Sequence, residues 1–186
     1  MTEQTTSATP PPSAYDLTHV EEEIERRTLA IMVQNEPGVL ARVVGLFSAR
    51  NFNIESLTVA EVDDTRHQSR ITIVTSGTPH ILEQIEQQLH RLIPVGEVID
   101  ISKSKRGLER ELALVKVAST GEQRIEAMRL AEIFRAGTID VTNESFVFQV
   151  TGGSDKIDQF IALMKPLGLV EVSRTGVLSI KRGKDK

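Results

Sequence analysis

Apolar residues occupy every second position at Leu29, Ile31 and Val33, which predicts a strand over residues 28–34 with one buried face. The period then changes. Leu40, Val43 and Phe47 stand at i, i+3 and i+7, the spacing of an amphipathic helix, and Asn51-Phe52-Asn53 ends it. Two strands follow, over 54–62 and 70–75, joined by the polar stretch 63–69. Thr78-Pro79 reads as an N-cap with Pro at the first helical position, opening a helix whose apolar face is Leu82, Ile85, Leu89 and Leu92. A strand over 95–102 completes the set. The order is βαββαβ, the ferredoxin-like unit. Right-handed crossovers put both helices on one face of a four-stranded antiparallel sheet.

The pattern then repeats. Residues 112–117 read as a strand, and Thr120-Gly121-Glu122-Gln123 as a capping box. The helix it opens carries Ile125, Met128, Ala131 and Phe134, and Gly137 is placed to end it. Residues 139–142 and 146–151 form a hairpin around Asn143-Glu144-Ser145. Ser154 caps a helix with Ile157, Phe160, Ile161 and Met164, and strands at 169–173 and 177–180 close the unit. The expected fold is α+β, with two ferredoxin-like units at 26–103 and 109–182, a linker at 104–108 and a disordered tail at 1–25. The tail is Thr/Ser/Pro-rich, contains Pro10-Pro11-Pro12 and Glu21-Glu22-Glu23, and offers too little apolar surface to offset the cost of ordering. Each unit is near the size at which a lone core is marginal, so the open sheet faces invite pairing within the chain or between chains.

Charge narrows the functions. Net charge is −4, and residues 1–27 hold six acids and two bases, so the other residues balance to zero. A neutral body argues against general nucleic-acid binding. The longest apolar runs fall short of a membrane span, no apolar signal core follows Met1, and the absence of Cys fits a reducing compartment. A cytoplasmic protein is expected.

No catalytic constellation emerges. His19, His67, His80 and His90 are scattered, and His80 and His90 are too far apart for an i, i+4 metal pair. Asp63-Asp64 reads as a solvated turn. Gly152-Gly153-Ser154-Asp155-Lys156 lacks the spacing of a phosphate loop. Neither a metal nor a cofactor is expected. The candidate for binding is Asn35-Glu36-Pro37-Gly38-Val39-Leu40. Its Pro-Gly turn leaves the first N–H groups of the following helix free for a carboxylate, and Asn35 adds an amide that donates and accepts. A plain strand-to-helix connection accounts equally well for the turn. Asn53 and Ile54 stand where the second strand begins. In a dimer, the turn of one chain and Asn53 and Ile54 of the other would frame a groove for a carboxylate, an ammonium and a short aliphatic side chain.

Asn35 through Phe47, followed by Arg50 through Val59, closely resembles the regulatory (small) subunit of acetolactate synthase, also called acetohydroxyacid synthase. The resemblance continues through 82–90, 110–116, 132–135 and 139–142, and spans about residues 26–182. The first unit alone resembles a generic ACT domain, an amino-acid-sensing module. The resemblance implies a non-catalytic homodimer that activates a thiamine-diphosphate catalytic subunit. It also implies feedback inhibition by a branched-chain amino acid, usually valine. On matching positions it implies effector contacts from Asn35, Gly38, Val39 and Leu40 of one chain and Asn53 and Ile54 of another. Two features depart from the family pattern: Pro37, which some members lack and which removes an N–H, and the acidic, Pro-rich N-terminal extension. The competing reading is an ACT sensor acting on a different target, such as a transcription regulator. That reading calls for a helix-turn-helix and a basic face, neither of which is in the sequence.

Overall fold

A computed structural model describes residues 23–63, 65, 67–104 and 106–184. The tail expected at 1–25 lies outside these residues as far as position 22, and β1 already begins at Glu25. The first unit runs β1 (Glu25–Gln34), α1 (Val39–Ala49), β2 (Ser56–Asp63), β3 (Gln68–Gly77), α2 (Pro79–His90) and β4 (Val95–Asp100). Its antiparallel strands lie in the order β2-β3-β1-β4. The second runs β5 (Gly107–Ala118), α3 (Gly121–Ile133), β6 (Gly137–Val141), β7 (Ser145–Gly152), α4 (Ser154–Met164) and β8 (Leu169–Arg174), in the order β6-β7-β5-β8. The two orders correspond strand for strand, so the expected pair of ferredoxin-like units is present.

Local chemistry accounts for most element ends. Thr78 caps α2 through an N–H of Ile81, with Pro79 at the first helical position. Asn51 stops α1 at a φ of 57°, a conformation its short polar side chain tolerates. Helix α3 departs from the sequence reading. Thr120 makes no side-chain cap, because the chain enters the helix through Gly121 at positive φ. The helix stops at Ile133 with Arg135 at φ 53°, and Gly137 opens β6 instead. Its buried residues are Ala127 and Ala131, whereas Ile125 and Met128 are 57% and 47% exposed. Helix α4 begins one residue earlier than expected: Gly153 is its N-cap, and the Ser154 hydroxyl donates to the Glu111 carboxylate instead of capping.

Each unit has its own core. In the first, Leu29, Ile31, Ile71 and Ile73 of the sheet pack with Val43 and Phe47 of α1 and Leu82, Ile85 and Leu89 of α2. In the second, Val115, Phe148 and Val150 pack with Ile157, Phe160 and Met164 of α4.

The opposite face of the first sheet is also covered. Thr28, Ala30, Thr72 and Val74, which alternate with the core residues, are each under 5% exposed. Residues near the end of the chain hydrogen-bond to Ser56, Thr58 and Arg70 of that sheet. Residues 177–180 were expected to close the second unit, and β9 (Leu178–Lys181) does pair with β5 of that unit, at its first third, Gly107 to Arg110, beside the β6-β7-β5-β8 path. Gly107 and Leu108, assigned to the linker, are therefore strand residues paired with Lys181 and Ile180. Arg70 of β3 donates to the Ser179 carbonyl at 2.7 Å. Burial pushes the Arg70 guanidinium below its ordinary value. Val177, 2% exposed, sits against β2.

Candidate functional site

The turn between β1 and α1 is held by the backbone. The Gln34 N–H donates to the Pro94 carbonyl at 3.0 Å and the Asn35 N–H to the His67 carbonyl at 2.6 Å. His67 reaches that position at a φ of 49°. In the sequence it is one of four scattered histidines, yet its carbonyl anchors the turn. Nothing in the period of the chain foretells this, because the contact is made by main chain from a distant loop.

Gly38 follows at φ 84°, a left-handed conformation that suits glycine, and is the N-cap of α1. It supplies no side-chain cap, and no acid lies in the first turn. The Val39 N–H is taken by the Glu36 carbonyl and the Arg42 N–H by the Gly38 carbonyl. Leu40 and Ala41, between them, carry the donors that the helix cannot satisfy internally. The positive end of the helix dipole points the same way. The buried stripe of α1 is Val39, Val43 and Phe47, not Leu40, Val43 and Phe47. Leu40 is 37% exposed, so the helix rim offers an apolar side chain beside the open N–H groups, and Asn35 is exposed as well.

Asn53 and Ile54 are placed at the other end of α1. The buried Thr75 hydroxyl donates to the Asn53 carbonyl at 2.6 Å, and the Glu55 N–H donates to the Val74 carbonyl at 2.8 Å. Asn53 is exposed and Ile54 partly buried against the core. The eleven residues of α1 span about 16 Å. Within one chain, the turn and Asn53 are therefore at opposite ends of a helix and do not form one pocket. Among the described residues, no group of three His, Cys, Asp or Glu is placed to hold a metal, and no helix is long and apolar enough to cross a membrane.

A second polar feature, unforeseen from sequence, lies between the units. A cleft of about 520 Å³ is bordered by Arg26, Glu55, Glu111, Asp158 and Arg174. Burial alone would lower the Arg174 guanidinium. Hydrogen bonds to Glu111 and Asp158, with their charges, outweigh that and hold it above its ordinary value. Arg26 pairs with Glu55 of the cleft at 3.3 Å and with Glu109 outside it at 3.5 Å.

Fold and site together define a duplicated ferredoxin-like protein with an open helix N-terminus in its first unit. Such architecture suits the binding of a small acid more than covalent chemistry. The AHAS small subunit-like ACT domain matches residues 29–97, and the family described as the small subunit of acetolactate synthase matches 110–183. The acetolactate synthase small subunit of Haemophilus influenzae is 49% identical over 159 residues, covering 85% of this chain and 96% of that protein. The isozyme 3 small subunit of Escherichia coli is 46% identical over the same length, with the same coverage. The crystal structure of the small subunit from Thermotoga maritima superposes with a TM-score of 0.78 at 36% identity, covering 87% of this chain and 99% of that one. The chain belongs to the acetolactate synthase small-subunit family. It is a regulatory chain of that family and not a catalytic one.

Proposed function

We propose that the chain binds and activates the catalytic subunit of a cytoplasmic acetolactate synthase and makes it sensitive to a branched-chain amino acid, with valine the first candidate. In this reading two chains pair through their first units, residues 26–103. Asn35, Gly38, Val39 and Leu40 of one chain then face Asn53 and Ile54 of the other. The second unit, 109–182, joined at 104–108, carries the bound state onward. The observation that carries the reading is the uncapped start of α1. There, left-handed Gly38, the unsatisfied N–H groups and exposed Leu40 sit together in a chain nearly half identical to named small subunits. Open helix donors suit a carboxylate, and Leu40 suits a short aliphatic side chain. The separation of Asn53 from the turn by the length of α1 favours a site completed by a second chain.

The test is an acetolactate assay with the cognate catalytic subunit. The regulatory chain alone is expected to give no turnover. Added to the catalytic subunit, it is expected to raise the rate, and valine to lower it again. Turnover by the isolated chain, or no effect on the catalytic subunit, would refute the reading.

A further inference from the structure

We infer that residues 175–177 form a strap that carries the state of the effector site to the second unit; this rests on the effector reading above. Ser56 and Thr58 open β2, three and five residues after Asn53. Both point away from the helices, because Leu57 between them packs into the core. The Ser56 hydroxyl accepts the Val177 N–H at 2.8 Å, and the Thr58 hydroxyl donates to the Val177 carbonyl at 3.2 Å. Two side chains thus engage both backbone groups of one residue of the other unit. Two residues earlier, the Thr175 N–H donates to the Leu112 carbonyl at 2.9 Å, and the Thr175 hydroxyl accepts the Leu112 N–H at 3.0 Å. Three consecutive residues are therefore fastened to β5 at one end and to β2 at the other.

Gly176 makes the approach possible. A Cβ there would lie 2.7 Å from the Leu57 carbonyl, 2.8 Å from the Ser56 hydroxyl and closer still to that of Thr58. The position of β2 in its sheet fits the role. It is an outer strand, paired with β3 alone, and the strap ties it on the face away from the helices. The other links between the units are less suited. Arg26 joins Glu55 and Glu109 through partly exposed pairs, which contribute little. Arg70 holds β9 from β3, not from the strand that follows Asn53. A ligand that re-seats Asn53 and Ile54 displaces the start of β2, and the strap conveys that displacement to β5. Coupling then follows if the ligand favours one arrangement of the units.

The test uses the full chain with its catalytic subunit and the double variant Ser56→Ala, Thr58→Val. Valine binding to the regulatory chain is measured by equilibrium dialysis, and inhibition by assay of the complex. The variant is expected to bind valine within about twofold of the unaltered chain and to activate normally, while maximal inhibition falls at least threefold. An inhibition curve that superposes on that of the unaltered chain overturns the strap. If the unaltered chain binds no valine, leucine or isoleucine, the sensing reading fails, and the strap's role falls with it. Should the variant not fold, hydrogen exchange of the unaltered chain decides: saturating valine is expected to change protection across 175–179, and no change there overturns the proposal.

Discussion

At the scale of single residues, the site depends on one backbone conformation and a few amides. Gly38 holds φ 84° with nothing within 4 Å of where a Cβ would sit. The cost of Gly38→Ala is thus conformational and not a clash, about 1–2 kcal/mol. Thermal unfolding of the isolated chain is expected to fall by a few degrees. Gly38→Asn is expected to cost less, because Asn enters this region more readily; Asn51 does so at the other end of the same helix. Equal melting temperatures for Ala and Asn would contradict this account. Asn53 and Asn35 pose the complementary test. The Asn53 carbonyl is held by Thr75 and the Asn35 N–H by His67, so main chain fixes both positions while the side-chain amides remain exposed. Asn53→Ala is therefore expected to leave folding intact and to remove a hydrogen bond to the effector, about 0.5–3 kcal/mol. In a valine titration that is a loss of roughly 2- to 150-fold in affinity. Unchanged titrations for both Asn35→Ala and Asn53→Ala would eliminate the proposed groove.

At the scale of elements, helix α3 separates what periodicity reveals from what it hides. Helix α2 was legible because Leu82, Ile85 and Leu89 are large, lie on one face and follow a capped Pro. In α3 the buried positions are Ala127 and Ala131, small enough for the helix to lie close to the sheet, while the large apolar residues Ile125 and Met128 face outward. Size therefore misdirects the reading of the face. Arg124 adds to the effect: its guanidinium lies 3.9 Å from the centre of the Phe146 ring, so a charged residue packs where the helix meets β7. The consequence is measurable by denaturant unfolding. Ile125→Ser and Met128→Ser are each expected to change stability by no more than about 0.5 kcal/mol, whereas Ala127→Leu overpacks a closed site and costs about 1–3 kcal/mol. A large loss from Ile125→Ser would return that residue to the core. The helix-ending Arg135 was hidden for a related reason: glycine is the commoner occupant of that conformation, and Gly137 stood two residues away.

At the scale of the whole molecule, the two sheets are joined by the path of one strand and its return. Strand β5 gives residues from Glu111 onward to β7 and its first four to β9, and Val177 and Ser179 at the start of that return bond to the first sheet. The sequence made the duplication legible, because alternation and helical spacing are local. The cover was not legible. Residues 177–180 alternate in the same way whatever lies against them, and only the long-range hydrogen bonds of Val177 and Ser179 to Ser56, Thr58 and Arg70 show that the first sheet does. Half of the candidate site was hidden likewise, since α1, about 16 Å long, separates Asn53 from the turn and local spacing says nothing of a second chain. The cover sets the expectation for the fragment 26–106. Cutting after Arg106 removes Val177 and Ser179, opens the face that holds Thr28, Ala30, Thr72 and Val74, and leaves Arg70 without the Ser179 carbonyl. A unit of that size has little stability to spare. The fragment is expected to melt well below the full chain, to associate through its uncovered face, and to lose most inhibition by valine even where some activation of the catalytic subunit persists. Calorimetry, sizing and the acetolactate assay read the three effects separately. A fragment that melts with the full chain would show that the cover contributes no stability. A fragment that confers full inhibition would show that the second unit takes no part in transmission.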